Sequence, residues 1–133
     1  MDKSTTSAIS WLAEPEEHDY AAAISYLSLI HDTDPATAVV ALLRGAPITQ
    51  FKGKDVFRAS QLSLLGVSNS HVEKDRTKVR SGQSLSPLLL VRDEQHGRVV
   101  IADGYHRLCA VYGFDEDALI PCKIVSGGAE SPA

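Results

Sequence analysis

The apolar run Val99-Val100-Ile101-Ala102 breaks off at Asp103-Gly104 and is followed at once by Tyr105-His106-Arg107-Leu108-Cys109-Ala110. The run reads as a buried strand and the residues after the glycine as a helix, so a chain built around this junction must combine sheet with helix. A strand that passes into a helix through glycine leaves the first helical N–H groups without intrahelical partners, and the positive end of the helix dipole faces the same way. The imidazole and the guanidinium of that first turn add further donors. The combination predicts a seat for an anion, above all a phosphate.

The rest of the chain supplies helices and strands around this junction. From Ser7 to Gly45 it reads as a helical hairpin. Pro15 suits a first helical position, with Glu14, Glu16, Glu17 and Asp19 near the positive end. Tyr20, Ala23, Ile24, Leu27 and Ile30 form one apolar stripe at helical spacing; Ala36, Val39, Val40 and Leu43 form a second, capped by Asp34-Pro35 and stopped by Gly45. Ile48–Phe51 and Asp55–Phe57 read as short strands, and Ser60–Leu65 as a turn of helix stopped by Gly66. Ser70-His71-Val72-Glu73 matches a capping box that opens a helix running to Arg80 and stopping at Gly82. Leu88–Arg92 and Val99–Ala102 form a hairpin through the polar turn Asp93–Gly97, Leu108–Tyr112 continues the helix after Gly104, and Ile120–Val125 is a last strand. The expected fold class is therefore α+β: a small mixed sheet with flanking helices, preceded by an N-terminal helical hairpin. The expected organisation is an N-terminal helical extension over residues 1–50 packed on the core, a main domain over 51–125 and a flexible tail over 126–133.

Composition narrows the function. The chain has 133 residues, 44% of them hydrophobic, enough for a core, and no apolar stretch approaches the roughly 20 residues needed to span a bilayer. The N-terminus lacks the pattern of a secretory signal, so a cytoplasmic location is expected. The net charge of −4 argues against bulk nucleic-acid binding. Cys109 and Cys122 form no C-x-x-C and read as reduced core residues.

With the strand, the Gly104-Tyr105-His106-Arg107 turn and Ala110 three residues later, the segment from about Asp55 to Val125 resembles the N-terminal domain of ParB and sulfiredoxin. The order of elements is the same as in that superfamily. The resemblance implies a nucleotide-phosphate site at Gly104, His106 and Arg107, with ATP, ADP or CTP as the ligand. It also implies a bordering helix on which His71, Lys74 and Lys78 share one face. The residue that is the catalytic cysteine in sulfiredoxin is Tyr105 here, which removes the thiolate that sulfinic-acid reduction needs. The few residues beyond Val125 leave no room for the DNA-reading helix-turn-helix region of ParB, so chromosome partitioning and specific DNA binding are not expected. The implied activity is that of a small nucleotide-dependent phosphotransferase or hydrolase; the alternative is a non-catalytic sensor or interaction domain, with a homodimer as one form.

Individual residues carry more than one reading. Asp103 caps the following helix, coordinates Mg²⁺ on a bound nucleotide, or acts as a general base. Tyr105 stacks on a base, forms part of a pocket wall, or packs into the core. Gly104 permits a tight turn, close approach of a phosphate, or both. His31, Asp32 and Asp34 read as a polar interhelical turn rather than a metal site. Trp11 reads as a hydrophobic anchor.

Overall fold

The structure is a computed structural model that describes residues 9–64 and 69–127. Its elements are helices α1 (Glu17–Leu27) and α2 (Thr33–Gly45), strand β1 (Thr49–Lys52), helices α3 (Gly53–Ser60) and α4 (Ser70–Arg80), strands β2 (Leu88–Asp93) and β3 (Arg98–Asp103), helix α5 (Tyr105–Phe114) and strand β4 (Leu119–Ser126). The fold is α+β, a four-stranded mixed sheet in the order β1-β4-β2-β3 with helices on both faces. β4 runs antiparallel to β1 and parallel to β2, and β3 is antiparallel to β2.

The layering originates in β2. Leu88, Leu89, Leu90 and Val91 are all buried. Successive strand residues point to opposite faces, so an unbroken apolar run needs cover on both. Leu88 and Leu90 join Val99, Ile101, Ile120 and Cys122 beneath α3, α4 and α5, which contribute Val56, Phe57, Val72, Leu108 and Val111. Leu89 and Val91, with Ala102, face α1 and α2 through Tyr20, Ala23, Leu27, Ala36, Val39, Val40 and Leu43. The N-terminal helical pair is thus one whole layer of the molecule. The segment ahead of it is stitched to the approach to β2: Leu12 N–H donates to the Leu85 carbonyl and Leu85 N–H to that of Ser10.

Two irregularities of the strands are accommodated locally. Pro121 sits where β4 has β1 alone as a neighbour, since pairing with β2 begins at Cys122, an edge-like position of the kind in which a strand tolerates proline. In β3 the register shifts between Leu89 and Leu90, whose partners are Asp103 and Ile101, so Ala102 is an extra residue. A bulge of this kind re-aims the side chain beside it, here Asp103 at the mouth of the strand–helix junction.

Several boundaries differ from the sequence-based expectation. α1 opens after Glu16 rather than at Pro15, and α2 after Asp32 rather than Asp34. Asp55–Phe57 lies in helix α3 rather than in a strand. Residues 62–64 are not helical, because Gln61 turns left-handed (φ 61°) and ends α3; Leu65 and Gly66 lie outside the described residues. α4 is capped by Asn69, not by Ser70: the Asn69 side chain accepts from the N–H groups of His71 and Val72 at 2.9 and 3.2 Å. An asparagine one residue earlier reaches the same orphan donors, and Ser70 becomes the first residue of the helix. Most of the 126–133 tail also lies outside the described residues, and Ser126 closes β4. Among the described residues no helix is long and apolar enough to cross a membrane.

Candidate functional site

Gly104 makes the junction possible. Its φ is +112°, and an added Cβ would lie 2.7 Å from Leu88 Cγ and 3.0 Å from an Arg107 terminal nitrogen. Backbone conformation and packing each require glycine here. Gly104 is also the N-cap of α5 and brings no capping side chain of its own, so the first N–H groups of the helix stay open.

In front of them is a polar cavity of about 180 Å³ between α4 and α5. It is lined by Asp103, Gly104, Tyr105, His106 and Arg107 from the junction and by His71, Lys74 and Lys78 from α4, so the structure brings together every site residue read from the sequence. Asp75 is the further lining residue, and sequence reasoning missed it. Its signal is plain: it stands one helical turn after His71 on the same face of α4. Among the described residues neither lysine ammonium has an ion-pair or hydrogen-bond partner.

Arg107 reaches this cavity, but its guanidinium is already engaged. One terminal nitrogen donates to Asp103 Oδ2 at 2.9 Å and lies 3.4 Å from the Pro87 carbonyl; the other is 3.9 Å from Asp19 Oδ1. Its Nε is buried without a hydrogen-bond partner. Asp103 therefore does not serve as a helix cap; its carboxylate is turned onto Arg107. Burial pushes the Asp103 carboxyl above its ordinary value, Arg107 opposes this, and Asp19 adds to it.

Sequence alone reads Asp19 as one of several acids at a helix start. It is 2% exposed. Its carboxylate accepts from the Ser86 hydroxyl and, at 3.2 Å, from the Glu16 N–H, and it faces Arg107. A buried polar chain thus runs from the first turn of α1 through Ser86, Asp19 and Arg107 to Asp103. Asp19, Ser86 and Arg107 lie far apart in the chain, so no local pattern announces their meeting.

The rings along the cavity form a row. His71 and His106 have ring centres 4.8 Å apart and planes inclined by 36°, and Tyr105 follows His106 at 5.6 Å. Burial lowers the pKa of His106, with His71 and Arg107 acting in the same direction and Asp75 opposing. Tyr105 combines two of its expected roles, packing in part against the core while lining the cavity, and its hydroxyl donates to the Ser63 carbonyl.

Other candidates lie elsewhere. His31, Asp32 and Asp34 are exposed in the turn between α1 and α2. Glu16, His18 and Asp19 place ligand atoms within 4.8 Å of one another, but the Asp19 carboxylate is already engaged by the Ser86 hydroxyl, the Glu16 N–H and Arg107. Cys122 is buried, and burial pushes its thiol up to about 12, far from thiolate chemistry. Trp11 packs against the core beneath α3–α5. No family model, curated protein or solved structure matches this chain.

Proposed function

We propose that the chain binds the phosphate groups of a nucleotide in the cavity between α4 and α5. The observation that carries this reading is the convergence of Lys74 and Lys78, ammonium groups with no partner among the described residues, on the open first turn of α5. Unpaired cations and oriented N–H groups facing one small polar cavity are the requirements of an anion site. The resemblance of Gly104-Tyr105-His106-Arg107 to the ParB and sulfiredoxin motif supports the same reading. At about 180 Å³ the cavity is smaller than the roughly 300–1,000 Å³ of sites that enclose a whole drug-sized ligand. It suits a diphosphate or triphosphate group, with sugar and base outside, against Tyr105. Arg107 joins the phosphate only by exchanging its bond to Asp103. A base role for Asp103 likewise requires that exchange, so turnover as a phosphotransferase or hydrolase depends on it, whereas sensing does not.

Thermal shift with pyrophosphate, ATP, ADP, CTP and GTP, with and without Mg²⁺, tests the reading, because a ligand of the folded state raises its melting temperature. Each lysine removed from a charge-assisted contact costs about 1.5–3 kcal/mol, so Lys74→Ala and Lys78→Ala each weaken binding by about tenfold or more. The reading fails if none of these ligands shifts the wild-type protein at about 10 mM. Release of inorganic phosphate from the nucleotide that binds separates turnover from sensing.

A further inference from the structure

We propose that His71, His106 and Asp75 hold a divalent first-row transition-metal ion, with zinc as the best-suited ion, at the mouth of the same cavity. Only its second half, that the metal completes its shell with a phosphate oxygen, rests on the phosphate-binding reading.

The two imidazoles come from different helices and meet with ring centres 4.8 Å apart. Rings that share one metal through bonds of about 2.0–2.1 Å have centres roughly 4.5–5.3 Å apart for bond angles from square to tetrahedral. Neither ring has a hydrogen-bond or ion-pair partner among the described residues, in contrast to His96, which meets Asp93, and His18, which meets Asp19. Asp75 follows His71 by one helical turn and lines the cavity with both. It too has no hydrogen-bond or ion-pair partner among the described residues, although it stands in a wall otherwise dominated by cations. Asp103 in that wall is paired with Arg107, which leaves Asp75 as the carboxylate of the wall without an ion-pair partner among the described residues. A bare carboxylate beside a phosphate repels it; a metal between them reverses the sign.

The donor set selects the ion. Two imidazoles and one carboxylate suit zinc and its first-row neighbours rather than Mg²⁺ or Ca²⁺, which take oxygen donors. Three protein ligands leave at least one position open, as in catalytic rather than structural sites. The three-ligand cluster already within 4.8 Å is Glu16, His18 and Asp19; the donor atoms of His71, His106 and Asp75 do not all lie within that span, so binding an ion here requires them to draw together. Lys74 and Lys78 then balance the anion that enters the open position.

Titration of the full chain with Zn²⁺ by calorimetry, and with Co²⁺ by visible absorption, tests this. One saturable equivalent is expected. His71→Ala and His106→Ala should each weaken it beyond the roughly 10- to 100-fold loss typical of residues that merely support a ligand. Asp75→Asn should weaken it less, and His31→Ala should leave it unchanged. The three ligands lie on partly exposed positions of helices, so these variants keep the fold. Absence of saturable binding overturns the proposal, as does binding that survives loss of His71 and His106, or that disappears in His18→Ala. Pyrophosphate binding in EDTA without zinc binding refutes the metal and keeps the phosphate reading; zinc binding through these histidines without pyrophosphate binding does the reverse.

Discussion

Beneath α3, α4 and α5 the core residues are apolar, with Ser60 the buried polar residue of that layer, and its hydroxyl is bonded locally to the Phe57 carbonyl. The layer of α1 and α2 is attached differently. Besides its apolar stripe it has a charged pin at each end. Asp19, in the first turn of α1, faces Arg107 of α5. Lys123 of β4 is 3% exposed, donates to the carbonyl of Arg44 at the end of α2 at 2.7 Å and pairs with Glu14 at 3.0 Å. Apolar contact is non-directional and lets a layer slide; a buried ion pair has one geometry and tolerates the loss of neither partner. The site lies where the second kind of attachment meets the first, so the candidate chemistry of α5 and the seating of the N-terminal helices share one arginine.

Removing that arginine is the strongest way to break the contrast. Arg107→Ala strips Asp19 and Asp103 of the cation they share, and a buried pair broken from one side costs about 3–5 kcal/mol. Lys74→Ala, in the same cavity but exposed and unpaired, should change stability by no more than about 0.5 kcal/mol. Urea unfolding of the two variants measures the difference directly. Similar small losses in both would mean that the charged pin carries no weight and that the two layers are held alike.

The pH dependence of the pin is a smaller effect with a definite sign. The folded pKa of Asp103 lies above its ordinary value of 3.8. The native state therefore binds a proton more tightly than the unfolded chain, and this residue's contribution falls as pH rises from that ordinary value through the raised one. The carboxylates Glu17, Asp93 and Asp117 are held down by Arg44, Arg98 and Lys54 and act in the opposite sense, losing their contribution as pH falls. Asp103→Asn isolates the first effect. The stability of the wild type relative to this variant should decline across the window, followed by unfolding from about pH 3 to 7. Parallel curves would show that Asp103 titrates as an ordinary surface carboxyl.

Legibility in the sequence divides along the same line. The strand–glycine–helix junction, the stripes of α1 and α2 and the run Leu88–Val91 are local patterns, and each has its place in the fold, except that Ile30 lies beyond the end of α1 and is 44% exposed. So does the cavity, since His71, Lys74 and Lys78 recur at helical spacing and face the junction. α3 is illegible because eight residues give too little periodicity: Gly53, Val56, Phe57 and Ser60 are its buried set, and only two of these are apolar side chains. Asp19 is illegible for another reason. Acids at a helix start are ordinary, and its burial depends on Ser86 and Arg107, which only the tertiary fold brings near. Arg107 itself reads as a donor of the anion seat, and the fold also makes it a link to Asp19 and Asp103.

α4 gives the smallest and most local of these effects. Val72 is its one buried residue among those described, so tertiary packing holds it weakly and its own ends count for more. The start of α1 is secured by the buried Asp19, whereas the start of α4 relies on the Asn69 side chain at the surface. Asn69→Ala should cost about 1 kcal/mol, a fall of roughly 4 °C in Tm. Ser70→Ala distinguishes the two capping schemes by sign. A capping serine would cost a similar amount when lost, but a serine already inside the helix gives way to a better helix former, and the variant should be neutral or more stable by a few tenths of a kcal/mol. His71 is in the first turn that Asn69 holds, so fraying there should loosen the histidine pair before it reaches Lys78 at the far end of the helix, and zinc affinity should respond to Asn69→Ala more than pyrophosphate affinity does.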